Sequence, residues 1–219
     1  MNIIFDFLKY NTLYERCMMA SVANAIMVGK YNLLASEQSW DGNNYNFQNM
    51  EGVRGVISFA EDEYICVIQN SEECDEFIEQ HVAGILSGAN EKIMNLAKEE
   101  ALQYMLVNYK GKDVPFITAA FWGSGDTNYS NQSEEQLIKI SEKTIMPFLY
   151  SEDDAKKYWK NYYEMTDEQI ELAENIYKRR ISVSGRLDLP INAVNMLKEW
   201  FDDIDECIES FQELDIYLL

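Results

Sequence analysis

The chain has 219 residues, 38 acidic and 18 basic side chains and one histidine, giving a formal charge of −20; 47% of residues are hydrophobic and 13% aromatic. That apolar content excludes a disordered chain, and the lack of a basic stripe to neutralise phosphates weighs against direct nucleic-acid binding. A field of this size and sign steers the chain toward cationic surfaces.

The length suits a single domain over 1–219, or a 1–150 α+β core followed by a 151–219 helical extension. The start, Met1-Asn2-Ile3-Ile4-Phe5-Asp6-Phe7, lacks the basic residues of a signal peptide. Residues from about 5 to 28 read as a mostly apolar helix stopped by Gly29. Its stretch Cys17–Val28 contains Ala23-Asn24-Ala25, which mimics a cleavage site, but Lys9, Glu15 and Arg16 precede it and it is too short to span a bilayer. The expectation is a buried helix in a cytoplasmic protein, with no membrane partner.

Residues 30–50 are polar and aromatic, with a turn at Trp40-Asp41-Gly42-Asn43-Asn44. Strands are predicted near 45–48, 53–59 and 63–69, the last two joined by the acidic turn Ala60-Glu61-Asp62-Glu63. Ser71 is placed to cap a helix opening in Glu72-Glu73-Cys74-Asp75-Glu76, where acids suit the helix dipole. Residues 89–108 read as a helix. Residues 114–122 read as a buried strand closed by Gly123-Ser124-Gly125-Asp126.

Beyond this the pattern is helical. Ser133 with Gln136 and Thr166 with Gln169 fit the capping box, and Ser151 precedes a third start. Pro190 opens a last helix in which Leu197, Phe201, Ile204, Ile208, Phe211 and Leu218 recur on one face. The opposite face holds Asp202, Asp203, Asp205, Glu206, Glu209 and Glu213. The expected fold is α+β: a small, mainly antiparallel sheet packed with helices, and a helical C-terminal third.

The excess charge is localised. Residues 61–110 carry eleven acids and three bases, and residues 166–219 carry thirteen and five, so these two stretches hold −16 of the −20. They supply the candidate partner-binding residues: Glu61, Asp62, Glu63, Glu72, Glu73, Asp75 and Glu76 in the first, Asp202, Asp203, Glu206 and Glu209 in the second. Trp40 and Tyr45, flanking a turn, are the aromatic candidates. Tyr158, Trp159, Tyr162 and Tyr163 at helical spacing read as packing residues. The cations Lys178-Arg179-Arg180, with Arg186 nearby, suit a helix C-terminus.

Catalytic motifs are scarce. A nucleophile–base device must use His81, which sits in an acidic segment. Cys17, Cys66, Cys74 and Cys207 have no paired spacing and read as free thiols. The Gly123-Ser124-Gly125 stretch lacks the lysine and glycine spacing of a phosphate loop and reads as a turn. On a continuous helix Asp202 and Glu206 lie one turn apart, a weak pattern for a divalent cation, so neither a metal nor another cofactor is expected.

The leading expectation is an acidic stoichiometric inhibitor or immunity-type protein that neutralises a basic toxin or nuclease effector. The alternatives are a phage- or mobile-element nucleic-acid mimic that blocks a defence complex, a metal-dependent hydrolase using Asp202, Asp203 and Glu206, and a structural subunit that self-associates through its last helix.

Overall fold

The computed structural model describes residues 2–5, 8–71, 81–124, 126–149 and 151–218. The acids Glu72, Glu73, Asp75 and Glu76, with Cys74 and the helix expected there, lie outside the described residues. The chain divides into two compact units, Met1–Tyr14 with Asp41–Ile145, and Glu15–Trp40 with Met146–Leu219. The fold is α+β.

The first unit is built on a sheet of β1 (Asn2–Ile3), β2 (Gln38–Asp41), β3 (Asn44–Gln48), β4 (Val53–Ala60), β5 (Glu63–Asn70), β8 (Ala119–Ser124) and β9 (Thr127–Ser130). A separate hairpin pairs β6 (Leu106–Tyr109) with β7 (Lys112–Pro115). The sheet order is β1-β9-β8-β5-β4-β3-β2, and the unit boundary falls inside β2, after Trp40. The register pairs Tyr45 with Ile57, Val56 with Val67, Cys66 with Phe121 and Gly123 with Asn128, all antiparallel.

β5 is buried along its whole length. Ile65 and Val67 share one core with Val56, Trp122, Ile93 and Ala97, the last two from α3 (Glu91–Glu99). Tyr64 belongs to an aromatic cluster in which Phe5 and Tyr64 meet Phe121 edge-on and Tyr10 and Tyr14 meet Phe59 edge-on. Two-sided burial explains why the strand reads as an unbroken apolar run rather than an alternating one.

Several sequence expectations are corrected. The first helix, α1 (Tyr10–Met27), starts five residues late, because Asn2 and Ile3 pair with Ser130 and Tyr129. The helix expected over 89–108 is α3, then a 3-10 helix Ala101–Met105, then β6. The strand expected over 114–122 is two strands. Pro115 ends β7, the Phe116 N–H donates to the Met105 carbonyl and Thr118 N–H to that of Ile68, so the chain leaves the hairpin and re-enters the main sheet at Ala119. Gly123 and Ser124 continue β8, which pairs with β9 as a hairpin, Ser124 opposite Thr127. The short polar strands β2 and β9 carry no apolar alternation.

The second unit holds residues 15–27 of α1, a 3-10 helix Asn32–Ser36, α5 (Met146–Leu149), α6 (Glu152–Tyr162), α7 (Asp167–Ile181), α8 (Ile191–Trp200) and α9 (Asp205–Gln212). A parallel pair, β10 (Leu187–Leu189) with β11 (Ile216–Leu218), joins them. The remaining helices, α2 (His81–Ile85) and α4 (Glu134–Ile140), belong to the first unit. Both capping boxes form, on Ser133 and Thr166, and Ser151 caps α6.

The single last helix expected from Pro190 onward is cut in two. Phe201 turns extended (φ −131°, ψ 137°) and ends α8. Asp203 Oδ1 then accepts the Asp205 N–H at 2.9 Å, a local bond that competes with helix continuation. Phe201, Ile204, Cys207, Phe211 and Leu214 remain buried across the break, so the apolar spacing conceals it.

Candidate partner-binding surface

The two acidic stretches have different fates. In the first unit, Glu61 and Asp62 form the exposed two-residue turn between β4 and β5, with Glu61 at φ 50°. Glu63 is not a surface residue. It is 8% exposed, and its Oε1 accepts from Asn90 Nδ2 at 3.1 Å and Ser124 Oγ at 2.9 Å. It ties the hairpin to the start of α3, which Asn90 caps. Tyr45, at 1% exposure, is core, and a partner could reach neither its ring nor the Glu63 carboxylate.

The C-terminal stretch presents a surface. Cys207 and Phe211 anchor α9 inward, while Asp202, Asp203, Asp205, Glu206, Glu209 and Glu213 are all exposed. The Cys207 thiol donates to the Ile26 carbonyl at 3.4 Å. Burial pushes its pKa up to about 12, with the Asp203 and Glu206 charges adding to the rise, so it stays a neutral thiol. Partial burial raises the Glu213 pKa from its ordinary value, and its bond from the Trp40 backbone opposes the rise.

Trp40 joins this surface. It is half-buried, and its indole Nε1 donates to Ser21 Oγ at 2.9 Å. Ser21 Oγ in turn donates to the Cys17 carbonyl at 3.0 Å. This chain from α1 fixes the indole. Trp40, Ser210, Glu213 and Leu214 line one small cavity, so the ring sits at the end of the α9 acidic face. Of the two sequence-predicted aromatics, Trp40 lies by the C-terminal end of α9, and the four predicted C-terminal acids are exposed. Glu213, absent from the predicted site, lines the same cavity as Trp40, and the buried Ser21 holds the indole from beneath. The spacing of Glu213 from Glu209 was visible, whereas nothing in the sequence linked Ser21 to Trp40.

A catalytic arrangement finds less support. The break at Phe201 removes the shared helix turn that would have set Asp202 beside Glu206. Among the described residues no group of three or more histidine, cysteine or acidic side chains is placed to hold a metal ion. Cys17, Cys66 and Cys207 are buried. His81 opens α2, and its side chain lies outside the described residues. Among the described residues no helix is long and apolar enough to cross a membrane.

Of the aromatic group on α6, Trp159 and Tyr163 are buried, and Tyr162 is exposed. Glu37, 5% exposed, accepts a hydrogen bond from Tyr162 Oη at 2.5 Å. Tyr163 Oη accepts from Asn24 Nδ2 and Gln38 Nε2. These residues act as packing and as a polar tie rather than as a cleft.

No protein-family model, no curated protein and no solved structure matches the chain.

Proposed function

We propose that the chain is a cytoplasmic, acidic binding protein that docks a basic protein and neutralises it, as a stoichiometric inhibitor or immunity-type protein does. The supporting observation is the placement of Trp40 at the end of the α9 acidic face. A fixed aromatic anchor beside solvated charges has the composition of an interface, in which a tryptophan supplies affinity and the surrounding acids supply on-rate and selectivity.

The test uses the intact chain as bait in a lysate of its source cells, washed at about 50 mM and about 500 mM salt, where the Debye length falls several-fold. Wild type and a variant carrying D202K, D203K, E206K and E209K are compared. The expected result is one basic protein retained at low salt, lost at high salt and lost by the variant. Trp40→Ala should weaken binding of that protein by about 30-fold, the effect of removing an interface hot spot. A wild-type bait that retains no basic protein, or a variant that retains the same protein equally well, overturns the reading.

A further inference from the structure

α7 and α8 enclose a groove of about 650 Å³ on the second unit, away from any residue assigned to the α9 surface. Leu172, Ile176 and Ala193 form its buried floor. Its α7 wall is polarised, with Glu168 and Glu171 toward one end and Lys178 and Arg179 toward the other. Among the described residues none of these four makes an ion pair. Arg179 spends one guanidinium N–H on the Asp188 carbonyl at 3.0 Å.

The unpaired charges are self-complementary. Glu171, Asn175 and Arg179 follow one another at four-residue spacing on α7 and therefore form one stripe. Glu171 and Arg179 are equidistant from Asn175, which is exposed and lines the groove. A second α7 laid antiparallel about a two-fold axis through Asn175 sets each Glu171 opposite the other copy's Arg179. It also sets each Lys178 opposite the other copy's Leu172, where a lysine stem covers apolar surface. The two Asn175 amides, each donor and acceptor, meet at the axis. Contacts of this kind repeat twice in an isologous pair. An unrelated helix would need the same charges in the same reversed order, which α7 already carries.

We propose that this groove is a self-association surface, in which two copies of the chain pair α7 against α7 antiparallel about Asn175. The test is sedimentation velocity from about 5 to about 500 µM, spanning the affinities expected of a contact one helix long. Salt is held at about 0.15 M so that the repulsion between two chains of this charge is screened beyond about 8 Å. Wild type should move toward twice the chain mass within that range. Arg179→Glu and Glu171→Arg should each weaken association about ten-fold or more, and E171R/R179E in one chain should restore it to within about three-fold of wild type. Circular dichroism checks that each variant is folded. Wild type that stays monomeric at the highest concentration overturns the proposal. So does association that the single reversals leave unchanged, or that the double reversal fails to restore.

Discussion

Asn128 is buried and joins three separate parts of the first unit. Its Nδ2 donates to the Phe5 carbonyl at 2.8 Å and the Leu8 carbonyl at 2.5 Å, and its Oδ1 accepts from Tyr64 Oη at 2.7 Å. Phe5 itself sits at φ 43°, and its N–H donates to Glu134 Oε1 at 2.6 Å, so the bend in the N-terminal segment depends on side chains from the sheet and from α4. Asn128→Leu keeps the branched shape but removes three hydrogen bonds: the Phe5 carbonyl keeps the Leu8 N–H at 2.8 Å, whereas the Leu8 carbonyl and the Tyr64 hydroxyl lose their Asn128 partner. At about 1–3 kcal/mol for the Leu8 carbonyl and about 0.5–1.5 kcal/mol for the lost Tyr64 bond, the loss is about 1.5–4.5 kcal/mol. That is a large share of the roughly 5–15 kcal/mol that holds a domain folded. At about 2–4 °C per kcal/mol for a chain of this size, Tm should fall by about 3 °C or more.

A double-mutant cycle isolates the cause. In wild type, Tyr64→Phe should cost about 1–3 kcal/mol because it leaves Asn128 Oδ1 unpaired. In the Asn128→Leu background it should cost much less, since the bond to Asn128 Oδ1 is already gone. Thermal melts followed by circular dichroism measure all four proteins, and hydrogen exchange at the Ile4 amide, which donates to the Asn128 carbonyl, reports the local loosening. Strictly additive effects, or a loss below about 1 kcal/mol for Asn128→Leu, would refute this reasoning.

The second unit gives a pH-dependent counterpart. Burial raises the Glu37 pKa, and the Tyr162 hydrogen bond opposes that rise. The folded state therefore holds this proton at pH values where the unfolded state has released it, so stability falls as pH rises from about 4.3, the unfolded value, through the folded one. Glu37→Gln, which still offers Tyr162 an acceptor, should raise Tm at pH 7 and leave it unchanged below about pH 3.5; an equal gain at both pH values would contradict this. A Cβ at Gly29 would stand 2.6 Å from Phe201 Cδ2 and 2.8 Å from Cys207 Sγ. Gly29→Ala should therefore cost about 1–3 kcal/mol and speed alkylation of Cys207 read by mass spectrometry, whereas wild-type labelling rates would show that the site has slack. Ser133→Ala and Thr166→Ala should each cost about 1 kcal/mol in urea unfolding, and a change within error would mean the boxes contribute little.

What the sequence revealed follows from how far apart the determining residues lie. Capping boxes are local, with donor and acceptor three residues apart, so Ser133 and Thr166 were legible. The β4–β5 hairpin was legible for the same reason, since a two-residue turn fixes its register. β1 escaped because its partner β9 lies more than a hundred residues away, and β9, although next to β8 in a hairpin, has no apolar alternation of its own. The α8–α9 break escaped for the opposite reason. Its apolar residues keep helical spacing through Phe201 and Ile204, and the only local sign was a pair of aspartates, one of which bonds to the backbone two residues ahead.

The binding surface divides along the same line. Acidity at 202–213 follows directly from composition. That Tyr45 and Glu63 turn inward while Trp40 stays at the surface depends on tertiary contacts. Tyr45 occupies an inward position of β3, and Glu63 answers Asn90 and Ser124 from two other elements. An acid next to a turn looks the same in sequence whether it faces solvent or satisfies a helix cap. Only the second kind has neutral donors aimed at it, and that is why the four charge reversals at 202–209 probe binding, whereas one at Glu63 would test the fold.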